Sequence, residues 1–145
     1  MRMFRAIDVS GSSLTAHRLW LDSISANLAN VNTTRTAEGG PYRRKVPVFA
    51  EMLDKTIGGY EDTGGVRVVE IAEDDTPPRL AYQPDHPDAD GEGYVAFPNV
   101  NVVREMADML TASRAYEANL AVADAARTHD LILTSGGVSV GEEDH

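Results

Sequence analysis

The first 31 residues carry apolar side chains at intervals that alternate between three and four positions. One row repeats every seven residues, and a second row is interrupted by the polar residues Ser10 and His17. The apolar seam formed by the two rows contains Ile7, Leu14, Leu21, Ile24, Leu28 and Val31. A seven-residue repeat is typical of a helix that packs along a second helix. The pattern predicts a long helix within residues 1–36, whose partner belongs to the same chain or to another.

A second helical pattern follows Pro98 and covers residues 99–127. Either Asn99 or Asn101 can cap its first turn, because an asparagine side chain accepts hydrogen bonds from the free N–H groups there. Apolar residues then recur at helical spacing, with polar residues on another side. The positions of this helix assigned to the helix seam and to assembly are Met106, Leu110, Tyr116 and Leu120. The two terminal helices can therefore pair with each other.

Residues 37–98 carry the signals of strands and turns. A glycine and proline turn precedes an extended segment at 42–49, which leads into a short amphipathic piece at about 49–57. A glycine-rich turn region at 58–65 then precedes a β-branched run at 66–74. Two further short strands flank a loop rich in Asp, Pro and Gly. The sequence predicts an α+β fold, with a small antiparallel β module between two long terminal helices.

Charge is distributed unevenly along the chain. The formal net charge is −10, but residues 1–45 carry seven Lys or Arg against three Asp or Glu, which leaves −14 for residues 46–145. The one basic cluster, at 43–45, is typical of a solvated loop, so nucleic acid is not an expected partner. The chain has no cysteine, which excludes disulfides and thiolate metal sites. No continuous apolar run indicates a cleaved signal peptide or a membrane span.

Two candidate sites lack residues that their chemistry requires. Ser13 precedes His17 by one helical turn, but no carboxylate has an evident position from which to orient a Ser–His pair. With Gly91 as the glycine of a calcium loop, the first and twelfth ligand positions fall on His86 and Phe97, and neither supplies a carboxylate. No catalytic group, dinucleotide loop or metal cluster stands out, so we predict neither enzyme activity nor a cofactor.

Three asparagines fall near the end of the predicted N-terminal helix, where asparagine lowers helix propensity. Asn27 and Asn30 can hydrogen-bond to a neighbouring chain and set the register of the seam, as polar seam residues do. Asn32 and Thr33 can serve the chain reversal into the β module. The alternative is that these residues only end the helix.

Several long motifs resemble the flagellar rod and hook protein family, and within it the proteins of the proximal rod. These motifs are "DVSGSSLTAHRLWLDSISANLANVNTTRT", "GGPYRRKVPVF", "YQPDHPDADGEGYVAFPNVNVVREMADML" and "SRAYEANLAV". The resemblance covers residues 3–127, and the signature shared by the wider family includes Asn27, Asn30, Asn32 and Thr33.

The resemblance implies a structural subunit that polymerises with copies of itself, other rod subunits and basal-body components into the drive shaft for motility. It implies a location in the periplasmic rod and type III export without a cleaved signal peptide. It also implies no enzyme activity, and a coiled-coil-like pair of terminal helices with a β-rich domain packed outside it. A soluble helical adaptor that binds one partner through the N-terminal seam is an alternative function.

The last segment, residues 128–145, departs from this pattern. Residues 131–134 predict a short strand, and Ser135, Gly136 and Gly137 predict a loop that breaks the helix. This segment resembles the TSGG loop region of the MoeA-type molybdopterin-binding enzymes, so a fragment or fusion related to them is a further alternative. A fusion or frameshift junction, a hybrid gene and a divergent rod tail remain open. We expect a terminal helix that stops at Arg127 to weaken rod assembly.

Overall fold

The computed structural model describes residues 2–56 and 59–139, with side chains described for residue 5, 7–52 and 64–129. The elements are α1 (Arg2–Ala29), β1 (Lys45–Thr56), β2 (Gly59–Glu73), β3 (Arg79–Tyr82), β4 (Tyr94–Phe97) and α2 (Val102–Ser139). This order confirms the predicted α+β fold with a long helix on each side of an antiparallel β region.

The two helices pack against each other along one row of α2. Residues of this row are buried or half-buried and follow alternating steps of four and three, the spacing of coiled-coil packing; they are Glu105, Met109, Ala112, Tyr116, Asn119, Ala123 and Ala126. Asn27 near the end of α1 contacts Glu105 near the start of α2, so the helices run antiparallel. The predicted pairing of the terminal helices is therefore made within one chain.

The α2 residues assigned to the helix seam and to assembly lie on different sides of the helix. Tyr116 lies on the row that faces α1, whereas Met106, Leu110 and Leu120 are exposed. Helical spacing alone fits more than one face of a helix with apolar residues on several sides, and α2 is such a helix. On α1, Ile24 is buried, and Ile7, Leu14, Leu21 and Leu28 are half-buried. Val31, in the turn after the helix, is also half-buried.

Strands β1 and β2 form one long antiparallel hairpin, in which Lys45 pairs with Glu73 and Thr56 with Gly59. The predicted amphipathic piece at 49–57 is wrong, because its residues up to Thr56 continue β1. Gly64 and Gly65 do not form a turn but lie inside β2, where the register shifts opposite Met52 and Leu53. The backbone of Gly64 has φ +69°, so this irregularity uses a conformation that other residues rarely adopt.

Helix α1 packs on this hairpin and covers part of both of its outer edges. The Ser12 hydroxyl accepts a hydrogen bond from the Val66 N–H of β2 at 3.2 Å, and Asn27 bonds to Lys45 of β1. A Cβ atom on Gly65 would lie 3.2 Å from the Ser12 hydroxyl, so the close approach of α1 depends on this glycine. Both strands contact α1, and among the described residues neither contacts α2. Helix α1 therefore separates α2 from the hairpin.

Strands β3 and β4 form a separate two-stranded sheet, with Arg79 opposite Phe97 and Tyr82 opposite Tyr94. The rings of Tyr82 and Tyr94 meet edge to face with centroids 5.4 Å apart. Gly93 has φ +88°, and a Cβ there would lie 2.8 Å from the Tyr82 ring, so this position requires glycine.

The predicted ends of both helices need correction. Helix α1 ends at Ala29 rather than near residue 36, because the side chain of Asn30 donates to the Ala26 carbonyl at 2.8 Å and a turn follows. Helix α2 does not stop at Arg127 but continues to Ser139, through the segment predicted to be a strand and a loop. A four-residue strand requires a pairing partner, and no described strand pairs with it. Glycine weakens a helix interior without forbidding it.

No helix in the described part of the chain has the length and apolar character needed to cross a membrane.

Gly65 offers a test of the packing of α1 on the hairpin. We expect Gly65→Val to lower the free energy of unfolding by about 1–3 kcal/mol, because the side chain would press against Ser12 and Met52. Gly91→Val is the control, since a Cβ there meets nothing within 4 Å. Urea unfolding measures both, and equal stability of the two variants would contradict this close packing.

Candidate assembly interface

The side-chain amide of Asn27 lies where the two helices meet the start of β1. Its Oδ1 accepts hydrogen bonds from the Lys45 N–H and the Tyr42 hydroxyl, each at 2.9 Å. Its Nδ2 donates to the Lys45 carbonyl at 2.9 Å and to Oε2 of Glu105 at 3.3 Å. The amide thus pairs with Lys45 as a residue of a neighbouring strand would, and all four of its hydrogen-bonding positions are occupied.

The hypothesis that Asn27 bonds to a neighbouring chain is therefore wrong. The residue is 1% exposed, and its partners all belong to its own chain. Neither Ala, which has no side-chain hydrogen-bonding group, nor Asp, which only accepts when ionised, could make the two donated and two accepted hydrogen bonds of Asn27.

A buried ion pair lies beside this amide. Arg44 donates from Nε to Oε1 of Glu105, whose side chain is only 1% exposed. The same guanidinium lies 3.2 Å from Asp74 and 3.5 Å from Asp108. We call this cluster the junction, and it consists of Asn27, Tyr42, Arg44, Asp74, Asn99, Glu105 and Asp108. It connects α1, the segment before β1, the exit of β2 and the first turns of α2.

The sequence had indicated neither member of this ion pair. The basic cluster at 43–45 was expected to be a solvated loop, but Arg44 is largely buried while its neighbour Arg43 is exposed. The sequence predicts that the polar residues of α2 lie on another side from its apolar row, but Glu105 lies on the row that packs against α1. One sequence signal could have found the pair, because Glu105 falls at the spacing of an apolar row of α2. A charged residue at such a position is expected to be buried with a partner of opposite charge.

Asn99 and Asn101 have different tasks before α2. The backbone N–H of Arg44 donates to Oδ1 of Asn99 at 2.7 Å, and Asn99 donates to the carbonyls of Asp74 and Thr76. Asn101 is the helix cap, because its Oδ1 accepts from the Arg104 N–H at 3.2 Å. Of the two predicted caps, Asn101 is confirmed, and Asn99 belongs to the junction.

The junction changes the ionisation of its members. Hydrogen bonds from the Thr76 hydroxyl and N–H, followed by the charge of Arg44, hold the pKa of Asp74 below its ordinary 3.8. Burial, and after it the charge of Glu105, raises the pKa of Tyr42, so its hydroxyl stays protonated and donates to Asn27. Burial disfavours the charge on Arg44, but Glu105 and Asp74 outweigh it and raise its pKa.

The remaining signature residues lie at the exit of α1. Asn30 bonds to the Ala26 carbonyl and accepts from the Thr33 hydroxyl at 3.2 Å, while the Tyr42 N–H donates to the Thr33 carbonyl at 3.0 Å. These bonds place Thr33 in the chain reversal and Asn30 at the end of the helix. Asn32 is exposed.

The acidic loop between β3 and β4 is fastened to the segment after α1. Asp88 accepts from the Thr34 hydroxyl at 2.7 Å and forms an ion pair with Arg35. The bond from Thr34, and then Arg35, lowers the pKa of Asp88. Asp90 accepts from the N–H groups of Glu92 and Tyr94, each at 2.9 Å, as in a surface turn. Within the described residues no group of three or more His, Cys, Asp or Glu is placed to hold a metal ion.

The side chain of His17 packs between α1 and β1. Its Nδ1 donates to the backbone carbonyl of Ser13 at 2.6 Å rather than pairing with the Ser13 hydroxyl. Its ring contacts Trp20 and Phe49, with centroids 6.1 and 6.5 Å away. This arrangement joins α1 to β1 and does not form a Ser–His nucleophile pair.

Exposed apolar side chains are the remaining feature of the surface. On α2, Val103, Met106 and Leu110 are 77%, 59% and 55% exposed, and they lie three and four residues apart. The hairpin exposes Val48, Val69 and Ile71 to a smaller extent. Contiguous exposed apolar residues mark interaction surfaces more often than single ones do.

Comparison with known proteins shows the family of this chain. Residues 92–133 match the family model described as "Flagellar basal body rod FlgEFG protein C-terminal". The chain is 47% identical over 141 residues to the flagellar basal-body rod protein FlgC of Borreliella burgdorferi, covering 88% of this chain and 93% of that protein. The chain belongs to the FlgC family of flagellar basal-body rod proteins.

Other FlgC proteins give the same result. The chain is 41% identical to that of Bacillus subtilis, over 88% of this chain and 93% of the relative. It is 39% identical to that of Salmonella typhimurium, over 94% of this chain and 99% of the relative. These matches cover 88–94% of the chain, so they extend over the β region as well as both helices.

The buried ion pair can be tested with a neighbouring arginine as control. We expect Arg44→Met to lower the free energy of unfolding by about 3–5 kcal/mol, because Glu105 would be left as an unpaired buried charge. Arg43→Met, at an exposed position, should change it by less than about 0.5 kcal/mol. Chemical unfolding of both variants measures the difference, and similar losses would show that the ion pair does not hold the junction.

The lowered pKa of Asp74 predicts a loss of stability in acid. A carboxylate with a lowered folded-state pKa stabilises the fold above its unfolded pKa and loses that contribution as the pH falls through the folded value. We therefore expect Asp74→Asn to flatten the dependence of unfolding free energy on pH below about 4, near the ordinary 3.8. Asp75→Asn, at an exposed neighbour, is the control, and identical pH profiles for the two variants would refute the prediction.

Proposed function

We propose that this chain is a structural subunit of the bacterial flagellar rod, in its proximal part, and that it polymerises with other rod and basal-body proteins into the shaft that turns the flagellum. The observation that carries this proposal is the 39–47% identity to FlgC proteins over nearly the full length of both partners. The role is mechanical, and its residues act through assembly rather than through chemistry on a substrate.

Two physical features support an assembly role. Helix α2 uses one row to pack on α1 and presents apolar side chains elsewhere, as expected of a helix that is enclosed further by neighbouring subunits. The junction connects both helices and the hairpin through a buried ion pair and a fully bonded amide. A subunit of a rotating shaft must transmit force between its parts without changing shape, and such a network resists shear between them.

Placement in the periplasmic rod and export without a cleaved signal peptide are part of the proposal. Helix α1 begins at Arg2, and from Ser10 onward its residues already pack in the core or on the hairpin. In the proposed rod, these residues of α1 keep the packing that they have in the single chain.

The direct test replaces the chromosomal gene with a tagged copy and examines purified basal bodies. We expect the tagged chain in the rod fraction, and we expect cells without the gene to lose swimming. Normal swimming of the deletion strain, or absence of the chain from basal bodies of swimming cells, would contradict the proposed function.

A surface variant separates assembly from folding. We expect Leu110→Glu to abolish swimming and incorporation into basal bodies, because a charge would enter an apolar contact, while the unfolding midpoint stays unchanged at this exposed position. Thr111→Glu is the matched control on another side of the same helix, and it is also exposed. If Leu110→Glu assembled as well as the control, the exposed face of α2 would have no part in the rod.

A further inference from the structure

The loop between β3 and β4, residues 83–93, has an internal structure of its own. Its backbone hydrogen bonds join Gln83 to Gly93 at 2.9 Å, and His86 to both Gln83 and Ala89 at 3.0 Å. The two strands at its ends are not packed on another element, because within the described residues none of their Cα atoms lies within 8 Å of a helix or of the hairpin. The loop can therefore move as a unit when its contacts with the rest of the chain are released.

Four residues fasten this loop to the segment after α1, and we call them the clasp: Thr34, Arg35, His86 and Asp88. The Asp88 carboxylate accepts a hydrogen bond from the Thr34 hydroxyl at 2.7 Å and forms an ion pair with Arg35. The Asp88 N–H donates to Nδ1 of His86 at 3.0 Å. An open cavity lined in part by Thr34, Arg35 and Asp88 lies between the two segments, so polar contacts join them here.

The hydrogen bond from Asp88 to His86 requires a neutral imidazole. A ring nitrogen of histidine accepts a hydrogen bond only while it carries no proton, and in the imidazolium ion both nitrogens are donors. An ordinary imidazole gains its proton between about pH 5 and 8. A proton on Nδ1 would set two N–H groups against each other, so the bond between Asp88 and His86 would be lost.

The same proton creates a cation beside the carboxylate of Asp88. Strands β3 and β4 carry no carboxylate, and Arg79 of β3 lies 5.3 Å over the Phe97 ring that contacts His86. From the segment after α1, the charge beside the clasp is Arg35. The other carboxylates of the loop are Asp85, Asp90 and Glu92. Asp88 is thus the carboxylate whose own contacts a charged His86 would change.

A charged His86 competes for a carboxylate that is already in use. The Thr34 hydroxyl first, then Arg35 and after it the charge of His86, lower the pKa of Asp88, so all three act on one carboxylate. The Arg35 side chain is 71% exposed, and such a surface ion pair contributes little. His86 belongs to the same loop as Asp88, so attraction between them draws the carboxylate away from the segment after α1.

We propose that the clasp is a proton-sensitive latch, which holds the loop on the segment after α1 while His86 is neutral and releases it when His86 is protonated. In the neutral form, Nδ1 holds the Asp88 N–H, and the carboxylate binds Thr34 and Arg35. In the protonated form, the carboxylate turns towards His86 within its own loop, and its bonds to the other segment are lost. The latch belongs to the single chain, so it goes beyond the rod function.

Amide hydrogen exchange of Asp88, followed by NMR on the purified full-length chain, tests the first step. Its protection factor, which corrects for the intrinsic effect of pH on exchange, should fall about fivefold between about pH 7.5 and about pH 5, as expected for one lost hydrogen bond. His86→Asn should keep the higher value at both pH values, because its amide oxygen accepts without titrating. His129→Asn, at an exposed position of α2, is the control and should respond as the wild type does.

Movement of the loop needs a second measurement. Because the chain has no cysteine, spin labels can be attached to Gly91→Cys in the loop and Ser25→Cys on α1. A Cβ on Gly91 meets nothing within 4 Å, and Ser25 is exposed. We expect the distance distribution to broaden at the lower pH and to stay narrow at both pH values with His86→Asn. Thr34→Val, which removes one bond to Asp88 and leaves the imidazole unchanged, should broaden it at both.

Three results would overturn the latch. They are a protection factor of Asp88 that is equal at the two pH values, a fall that is equally large in His86→Asn, and a distance distribution of the wild-type chain that stays narrow at the lower pH. Both measurements use the free chain, so their outcome is independent of its incorporation into the rod.

Discussion

The burial of the Glu105 carboxylate is the constraint on which the rest of the structure depends. A buried carboxylate is stable only when charged and polar partners satisfy it. Arg44 supplies the charge and Asn27 supplies a further donor, and each of these partners belongs to a different part of the fold. Because one carboxylate needs both, the segment before β1 and the end of α1 must meet the first turn of α2 at one point.

The remaining architecture follows from that meeting. Asn27 also pairs with both backbone groups of Lys45, so the hairpin begins in a fixed register beside α1. Asn99 holds the backbone of Arg44 and the exit of β2, so the chain returns to the start of α2 at the same place. Helix α1 then packs between α2 and the hairpin, and the surfaces that it leaves uncovered include exposed apolar side chains. In the proposed rod, the junction fixes the shape of the subunit and the outer surfaces join it to its neighbours.

The order of elements and the helix pairing could be predicted from the sequence, because a seven-residue repeat and clusters of glycine and proline are local signals. The sequence predicts a turn where the second strand of the hairpin continues, because Gly64 and Gly65 carry the same local signal in a bulge as in a turn. The end of α1 depends on the hydrogen bond from Asn30 to the Ala26 carbonyl, and the length of α2 depends on the lack of a described strand that could pair with its last residues. A local sequence pattern shows neither of these. The junction could not be predicted because its members are up to 78 positions apart. The exposed positions of Met106 and Leu110 are understandable once α2 is seen to have apolar residues on more than one side.

The account claims that folding buries the junction within each chain and that assembly then buries the outer face of α2. Oxidative footprinting of Met106 and Tyr42, in the free chain and in purified basal bodies, tests this most directly. Met106 should react readily in the free chain and be protected in the rod, whereas Tyr42, hydrogen-bonded to Asn27, should react slowly and equally in both. A Met106 that stays reactive in the rod, or a Tyr42 that becomes protected only on assembly, would contradict the account.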